Sequence, residues 1–258
     1  MRKAILETKK LTKDFGGLCA LQDVSISVHE GEFVGLIGPN GAGKTTLLNS
    51  IVGIVRPTSG RIFLGGQDVT GHKPHQIAER GIAKTFQLVT LFEGSTVLEN
   101  ILVACSMKSR IAFWTSVLDT PNNKRKNAQM LDRALGILQL VGIVELKDEI
   151  ASTVSHGHRR LLQLAMALVL SPRVLLLDEP AAGMSGVEIK SMMNLVKAEQ
   201  HNGVGVILIE HNMSVIQNYC DRVVVLNYGQ KIAEGTPEQI SINDDVIKAY
   251  LGGVEGAV

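Results

Sequence analysis

Apolar residues Val24, Ile26 and Val28 alternate with polar Asp23, Ser25 and Ser27. A period of two is the pattern of a half-buried strand, so the early chain is β. Phe33–Ile37 is a short unbroken apolar run, closed by Gly38-Pro39-Asn40-Gly41 and followed by a helical stretch rich in Thr, Leu and Ile. That order predicts strand, glycine loop, helix. An apolar run at 174–177, a helical stretch at about 187–200 and another apolar run at 204–209 repeat the strand and helix alternation of a parallel sheet. Residues 223–226, the turn Asn227-Tyr228-Gly229 and residues 230–234 predict a closing hairpin.

Between about 87 and 170 the pattern changes. Leu131, Ala134, Leu135, Leu138 and Val141 recur at helical spacing with no strong strand signal, which predicts a helical subdomain inserted into the α/β core. The polar segment Thr120-Pro121-Asn122-Asn123-Lys124-Arg125-Lys126 reads as a solvated loop entering a helix rather than as a basic contact patch. The expected organisation is one domain over 1–258, with the core in 1–86 and 171–258 and the helical subdomain in about 87–170.

Composition narrows the classes. The 258 residues are 45% hydrophobic, enough for a sizeable core. With 26 Lys+Arg against 25 Asp+Glu the net charge is +1, which leaves no electrostatic footprint for nucleic acid or anionic lipid. A phosphate ligand must then be held by a local device. The longest apolar stretch, 161–170, is interrupted by Gln163 and stopped by Ser171-Pro172, short of the roughly 20 residues that span a bilayer. No apolar run follows the charged first residues, so neither a membrane span nor a secretory signal is expected, and the chain reads as cytoplasmic. Cys19, Cys105 and Cys220 lack metal or redox spacing and read as reduced thiols. His29, His72, His75 and His201 lack a second-ligand pattern and are expected at the surface, and Trp114 is expected to pack.

Such a phosphate-holding device is present. Gly38-Pro39-Asn40-Gly41-Ala42-Gly43-Lys44-Thr45 fits G-x-x-x-x-G-K-[ST] after an apolar strand and before a helix. Glycines let backbone N–H groups turn inward on phosphate oxygens, and the helix N-terminus adds partial positive charge. Lys44 would reach the β and γ phosphates and Thr45 would give a hydroxyl to Mg²⁺, with Thr46 beside it in the nucleotide set. Asp178-Glu179 ends the apolar run at 174–177. An acidic pair there also suits a helix N-terminus. With the phosphate loop upstream, Asp178 is placed to hold the metal through its waters and Glu179 to polarise the attacking water. The nearest approach to the guanine-specific Asn-Lys-x-Asp pattern, Asn123-Lys124-Arg125-Lys126, lacks the aspartate.

Val154-Ser155-His156-Gly157-His158, which opens an apolar helix, resembles the ABC signature Leu-Ser-Gly-Gly-Gln, with His156 and His158 as departures. With the other motifs, the chain is similar to ABC transporter ATPases over essentially its whole length. The resemblance implies an α/β fold: a P-loop ABC ATPase core with an N-terminal antiparallel β subdomain and an inserted helical subdomain. It implies that Ser155 and Gly157 bind the γ-phosphate of ATP held by a second cassette, and that Gln87 senses Mg²⁺. His211 would contact the γ-phosphate and Phe15 would stack on adenine. Ser185 falls in the D-loop, where many relatives carry aspartate. The implied ligands are ATP and Mg²⁺. The implied partners are membrane subunits and a second cassette, homodimeric or heterodimeric, at the inner face of the cell membrane. A soluble ABC protein acting on ribosomes or DNA would show two cassettes or sustained heptads, which this chain lacks. A regulator without turnover is disfavoured by the set Lys44, Asp178, Glu179 and His211.

The direction of transport is read as import, because Leu146-Lys147-Asp148-Glu149-Ile150-Ala151-Ser152-Thr153 does not resemble the glutamate-containing exporter motif that precedes the signature. Phe15-Gly16-Gly17-Leu18-Cys19-Ala20-Leu21, Ser155-His156-Gly157, Asp178-Glu179-Pro180-Ala181-Ala182-Gly183-Met184, Glu210-His211-Asn212-Met213 and the tail from Val225-Leu226-Asn227-Tyr228-Gly229 through Ala249-Tyr250-Leu251-Gly252-Gly253 are similar to the importer branch for branched-chain and other hydrophobic amino acids. That branch also includes urea and short-amide importers, which stand as the alternative cargo.

Overall fold

The computed structural model describes residues 3–85, 91–109 and 121–251. In chain order its elements are β1 (Ala4–Phe15), β2 (Leu18–His29), β3 (Phe33–Ile37), α1 (Lys44–Ile51), β4 (Ser59–Leu64), β5 (Gln67–Asp68), α2 (Pro74–Glu79), β6 (Ile82–Lys84), α3 (Val97–Ser109) and α4 (Pro121–Leu140). There follow α5 (His156–Leu168), β7 (Val174–Asp178), α6 (Gly186–His201), β8 (Gly205–Ile209), α7 (Met213–Tyr219), β9 (Arg222–Asn227), β10 (Gln230–Gly235), α8 (Pro237–Ser241) and α9 (Asp244–Leu251). The chain divides into two units: Met1–Ile82, Arg173–Pro180 and Lys197–Val258 form the first, and Ala83–Pro172 with Ala181–Val196 the second.

The first unit holds an antiparallel sheet in the order β2-β1-β4-β5. Val24, Ile26 and Val28 all point into the core, as their alternation predicts. The larger sheet runs β10-β9-β3-β8-β7-β6. In it β3 is parallel to β8 and β9, and β7 is parallel to β8. Every residue of β3, β7 and β8 is buried, which is why these strands appear in the sequence as continuous apolar runs rather than as alternation. β10 closes back on β9 as an antiparallel hairpin. Leu36, Leu47, Ile207 and Leu226 share one core with Leu6 and Val24 of the smaller sheet.

A polar clamp ties the strands of this unit. Arg222 donates from Nε to Glu32 Oε1 at 2.8 Å and from Nη2 to Ser27 O at 2.7 Å, and pairs with Glu234 through Nη1. Burial by itself would raise the Glu32 carboxyl, but the bonds from Arg222 and His29 outweigh it and hold the group below the ordinary glutamate value. His29, expected at the surface, is half buried because its Nδ1 lies 2.9 Å from that carboxylate.

In the second unit Ile101 and Ala104 of α3, Ala134 and Leu138 of α4, and Leu162 and Ala165 of α5 are buried on the facing sides of three mutually packed helices. Asn100 is fully buried, and its amide bonds Phe92 O at 3.1 Å and Thr96 O at 2.9 Å. The apolar stripe is narrower than expected, since Leu131 is 39% exposed. The segment 120–126, expected as a solvated loop entering a helix, is helical from Pro121 onward, and Thr120 lies outside the described residues. Pro121 heads the helix, where its missing N–H costs nothing. Among the described residues no helix is long and apolar enough to cross a membrane.

Candidate functional site

The carboxyl ends of β3, β8 and β7 come to one edge of the larger sheet, with Leu36 and Asp178 each in register with Ile209. Ligands of open α/β sheets sit beyond this edge. The loop that leaves β3 there is built by contacts only glycine permits. Gly38 has φ 148°, and a Cβ on it would come within 2.0 Å of Leu226 O. Gly43 caps α1 with φ 98°, and its Cβ would fall 2.5 Å from Ala20 O. Pro39 O accepts from the Ala42 N–H at 3.2 Å, and Ala42 O from the Gly229 N–H at 3.1 Å, so the hairpin between β9 and β10 backs the loop. Asn40 and Gly41 are exposed at its tip, and Thr45 and Thr46 are half buried in the first turn of α1.

Lys44 is only 7% exposed, and its ammonium donates to Gly38 O at 2.7 Å and Pro39 O at 2.9 Å. Burial lowers its pKa, while the charges of Glu179 and Asp178 pull it back up. Asp178 is buried at the end of β7. Glu179 follows with φ 51°, an unusual conformation outside glycine, and its N–H donates to Ile209 O at 3.0 Å. That bond fixes Glu179 beside the end of β8, and His211, the second residue past β8, has its Nε2 3.0 Å from Glu179 Oε1. Glu210, buried between them in sequence, accepts the His211 N–H at 3.2 Å. Lys44, Asp178, Glu179 and His211 are therefore brought together.

Phe15 stands at the end of β1 beside the Gly16-Gly17 turn, 48% exposed, with Lys13 Nζ 4.7 Å from its ring centroid. Lys13 pairs with Leu21, and Leu21 Cδ2 is 3.0 Å from where a Gly43 Cβ would stand. The hairpin that carries Phe15 thus passes the phosphate loop at Ala20 and Leu21. Gln87 lies outside the described residues, as does Trp114.

Ser155 and Gly157 belong to the second unit. Ser155 caps α5, its hydroxyl accepting the His158 N–H at 3.2 Å, and the first turn of α5 carries no acidic residue. The free N–H groups and dipole of such a helix start attract anions. His156 Nε2 is 3.2 Å from Ala182 O. Two residues here were not singled out from the sequence, Glu188 and Glu210. The spacing Ser185-x-x-Glu188 does carry a capping signal, but the placing of Glu188 Oε1 against Gly157, 2.1 Å from where a Cβ would stand, is tertiary.

Comparison with known proteins places this geometry. The model described as ABC transporter matches residues 21–182, more than half of the chain. A model described as branched-chain amino acid ATP-binding cassette transporter matches residues 230–256. The chain is 41% identical to the high-affinity branched-chain amino acid transport ATP-binding protein LivG of Escherichia coli K12, over 98% of this chain and 99% of that protein. It is 42% identical to the corresponding protein BraF of Pseudomonas aeruginosa, with the same coverage. A crystal structure of the ADP conformation of an ATP-binding cassette of an ABC transporter superposes with a TM-score of 0.84 at 31% identity, over 97% of this chain and 99% of that one. The chain belongs to the ABC transporter family, as one of its ATP-binding cassettes.

Proposed function

We propose that this cassette hydrolyses ATP to drive an importer of branched-chain amino acids, working at the cytoplasmic face of the membrane with membrane subunits and a second cassette. The match of residues 230–256 to the branched-chain model carries the cargo reading. Every ABC ATPase needs the phosphate loop, whereas this tail is outside the nucleotide motifs and follows the branch.

The loop amides of 38–43 and the Lys44 ammonium hold the triphosphate, with Phe15 against the adenine. Thr45 in the first turn of α1 and Asp178 at the end of β7 are hard oxygen donors, a donor set that suits Mg²⁺. When bound, that ion offsets phosphate charge; Gln87 belongs to the same proposed set. Glu179 orients and polarises the attacking water, and His211 holds the Glu179 carboxylate until it can turn to the γ-phosphate. Ser155 and Gly157 complete the site of the second cassette, through the helix start that Ser155 caps.

A deletion strain assayed for uptake of labelled leucine, isoleucine, valine and urea tests the cargo. Loss of amino-acid uptake alone is expected. Intact amino-acid uptake with lost urea uptake would overturn that choice of cargo and leave the ATPase reading in place.

A further inference from the structure

Glu188 stands in the first turn of α6, in the second unit. Its Oε2 accepts the Ser185 N–H at 2.8 Å and the Ser185 hydroxyl at 2.7 Å, and the Glu188 N–H returns to that hydroxyl at 3.4 Å. This reciprocal pair is a capping box, which accounts for a glutamate at this helix start. It does not account for the other oxygen. Oε1 is laid against Gly157, so closely that a Cβ on that glycine would come within 2.1 Å of it. Gly157 is the second residue of α5, so the carboxylate lies beside the first turn of that helix, close to the end where an anion is favoured. The Ser185 bonds, then the nearby His158 and His156, hold this carboxyl below the usual glutamate value, so it is charged at neutral pH.

We infer that Glu188 is an internal anion at the signature, a positioning residue whose charge competes with the triphosphate that a second cassette presents to Ser155 and Gly157. It thereby raises the ATP concentration needed for two cassettes to close. The inference rests on the proposed role of Ser155 and Gly157 in binding that phosphate. A signature without Glu188 would meet the incoming phosphate with its dipole unopposed; with Glu188, two negative groups share one helix start.

Glu188→Gln separates charge from structure, because a glutamine serves a capping box as a glutamate does. In the assembled transporter this variant should lower KM for ATP by about two- to five-fold, the size of an exposed charge interaction. Its kcat should stay within about two-fold, and its thermal midpoint should fall slightly, because the Ser185 bonds lose their charged acceptor. The KM gap should close as salt is raised to about 1 M, where charges are screened beyond about 3 Å. A purely structural role would produce no such salt dependence. Ser155→Ala provides the control. If Ser155→Ala raises KM while Glu188→Gln leaves it unchanged or higher, the inference about Glu188 is overturned and the signature reading stands. If Ser155→Ala alters neither KM nor kcat, the signature reading falls and the inference falls with it.

Discussion

His211 Nε2 lies 3.0 Å from Glu179 Oε1, joining the residue just past β7 to the second residue past β8. The contact exists because those strands are parallel neighbours with Asp178 beside Ile209. Glu179 reaches it from a left-handed backbone, φ 51°, a strain on the order of 1–3 kcal/mol that the bond to Ile209 O helps to hold. Glu179→Gln keeps the shape and loses the basic oxygen. Phosphate release should fall by about 10²–10⁴-fold while fluorescent ATP binding stays near that of the parent. Turnover close to wild type would remove Glu179 from its proposed role.

Lys44 has its ammonium satisfied by Gly38 O and Pro39 O. It must exchange those carbonyls for phosphate oxygens, so binding gains the difference between a charge-assisted and a neutral acceptor. Lys44→Ala should weaken ATP binding by about 1.5–3 kcal/mol, roughly 10- to 150-fold in Kd. Equilibrium titration with ATP checks this, and an unchanged Kd would refute the assignment.

The loop glycines should not be equivalent. A Cβ on Gly38 would stand 2.0 Å from Leu226 O, which is backbone and cannot yield cheaply, whereas one on Gly41 has no neighbour within 4 Å. Both have positive φ, so both alanine variants carry conformational strain. Gly38→Ala should be the less stable by roughly 1–3 kcal/mol in urea unfolding. Equal midpoints would show that β9 can shift to accommodate the methyl.

Glu32 is held below its ordinary value of about 4.5 by Arg222 and His29, against the opposing effect of burial. The unfolded chain therefore takes up a proton at Glu32 more readily than the native one does. The clamp's stability is present above the ordinary value and is lost as pH falls through the lowered native one. Thermal melts of the parent should drop steeply below pH 4.5, and those of Glu32→Gln should follow a shallower course over the same range. Parallel curves would show that another carboxylate governs acid unfolding.

Much of this molecule was legible locally. The run at Phe33–Ile37 is β3, the alternation at Val24, Ile26 and Val28 lies in β2 with its apolar side buried, and the turn at Asn227-Tyr228-Gly229 joins β9 to β10. These are properties of a few consecutive residues, decided by side-chain period, strand burial and turn chemistry. The G-x-x-x-x-G-K-[ST] pattern is local in the same sense, because a phosphate cradle is made of successive backbone amides. What the sequence left open depends on partners distant in the chain. The position of β8 between β3 and β7 sets His211 on Glu179. The packing of α3, α4 and α5 leaves Leu131 outside a stripe that its spacing placed inside. The meeting of Glu188 with Gly157, 31 positions apart in the numbering, turns a helix cap into a charge at the signature. Local pattern specifies each element and its buried face, but which elements become neighbours is decided by the burial of those faces against one another.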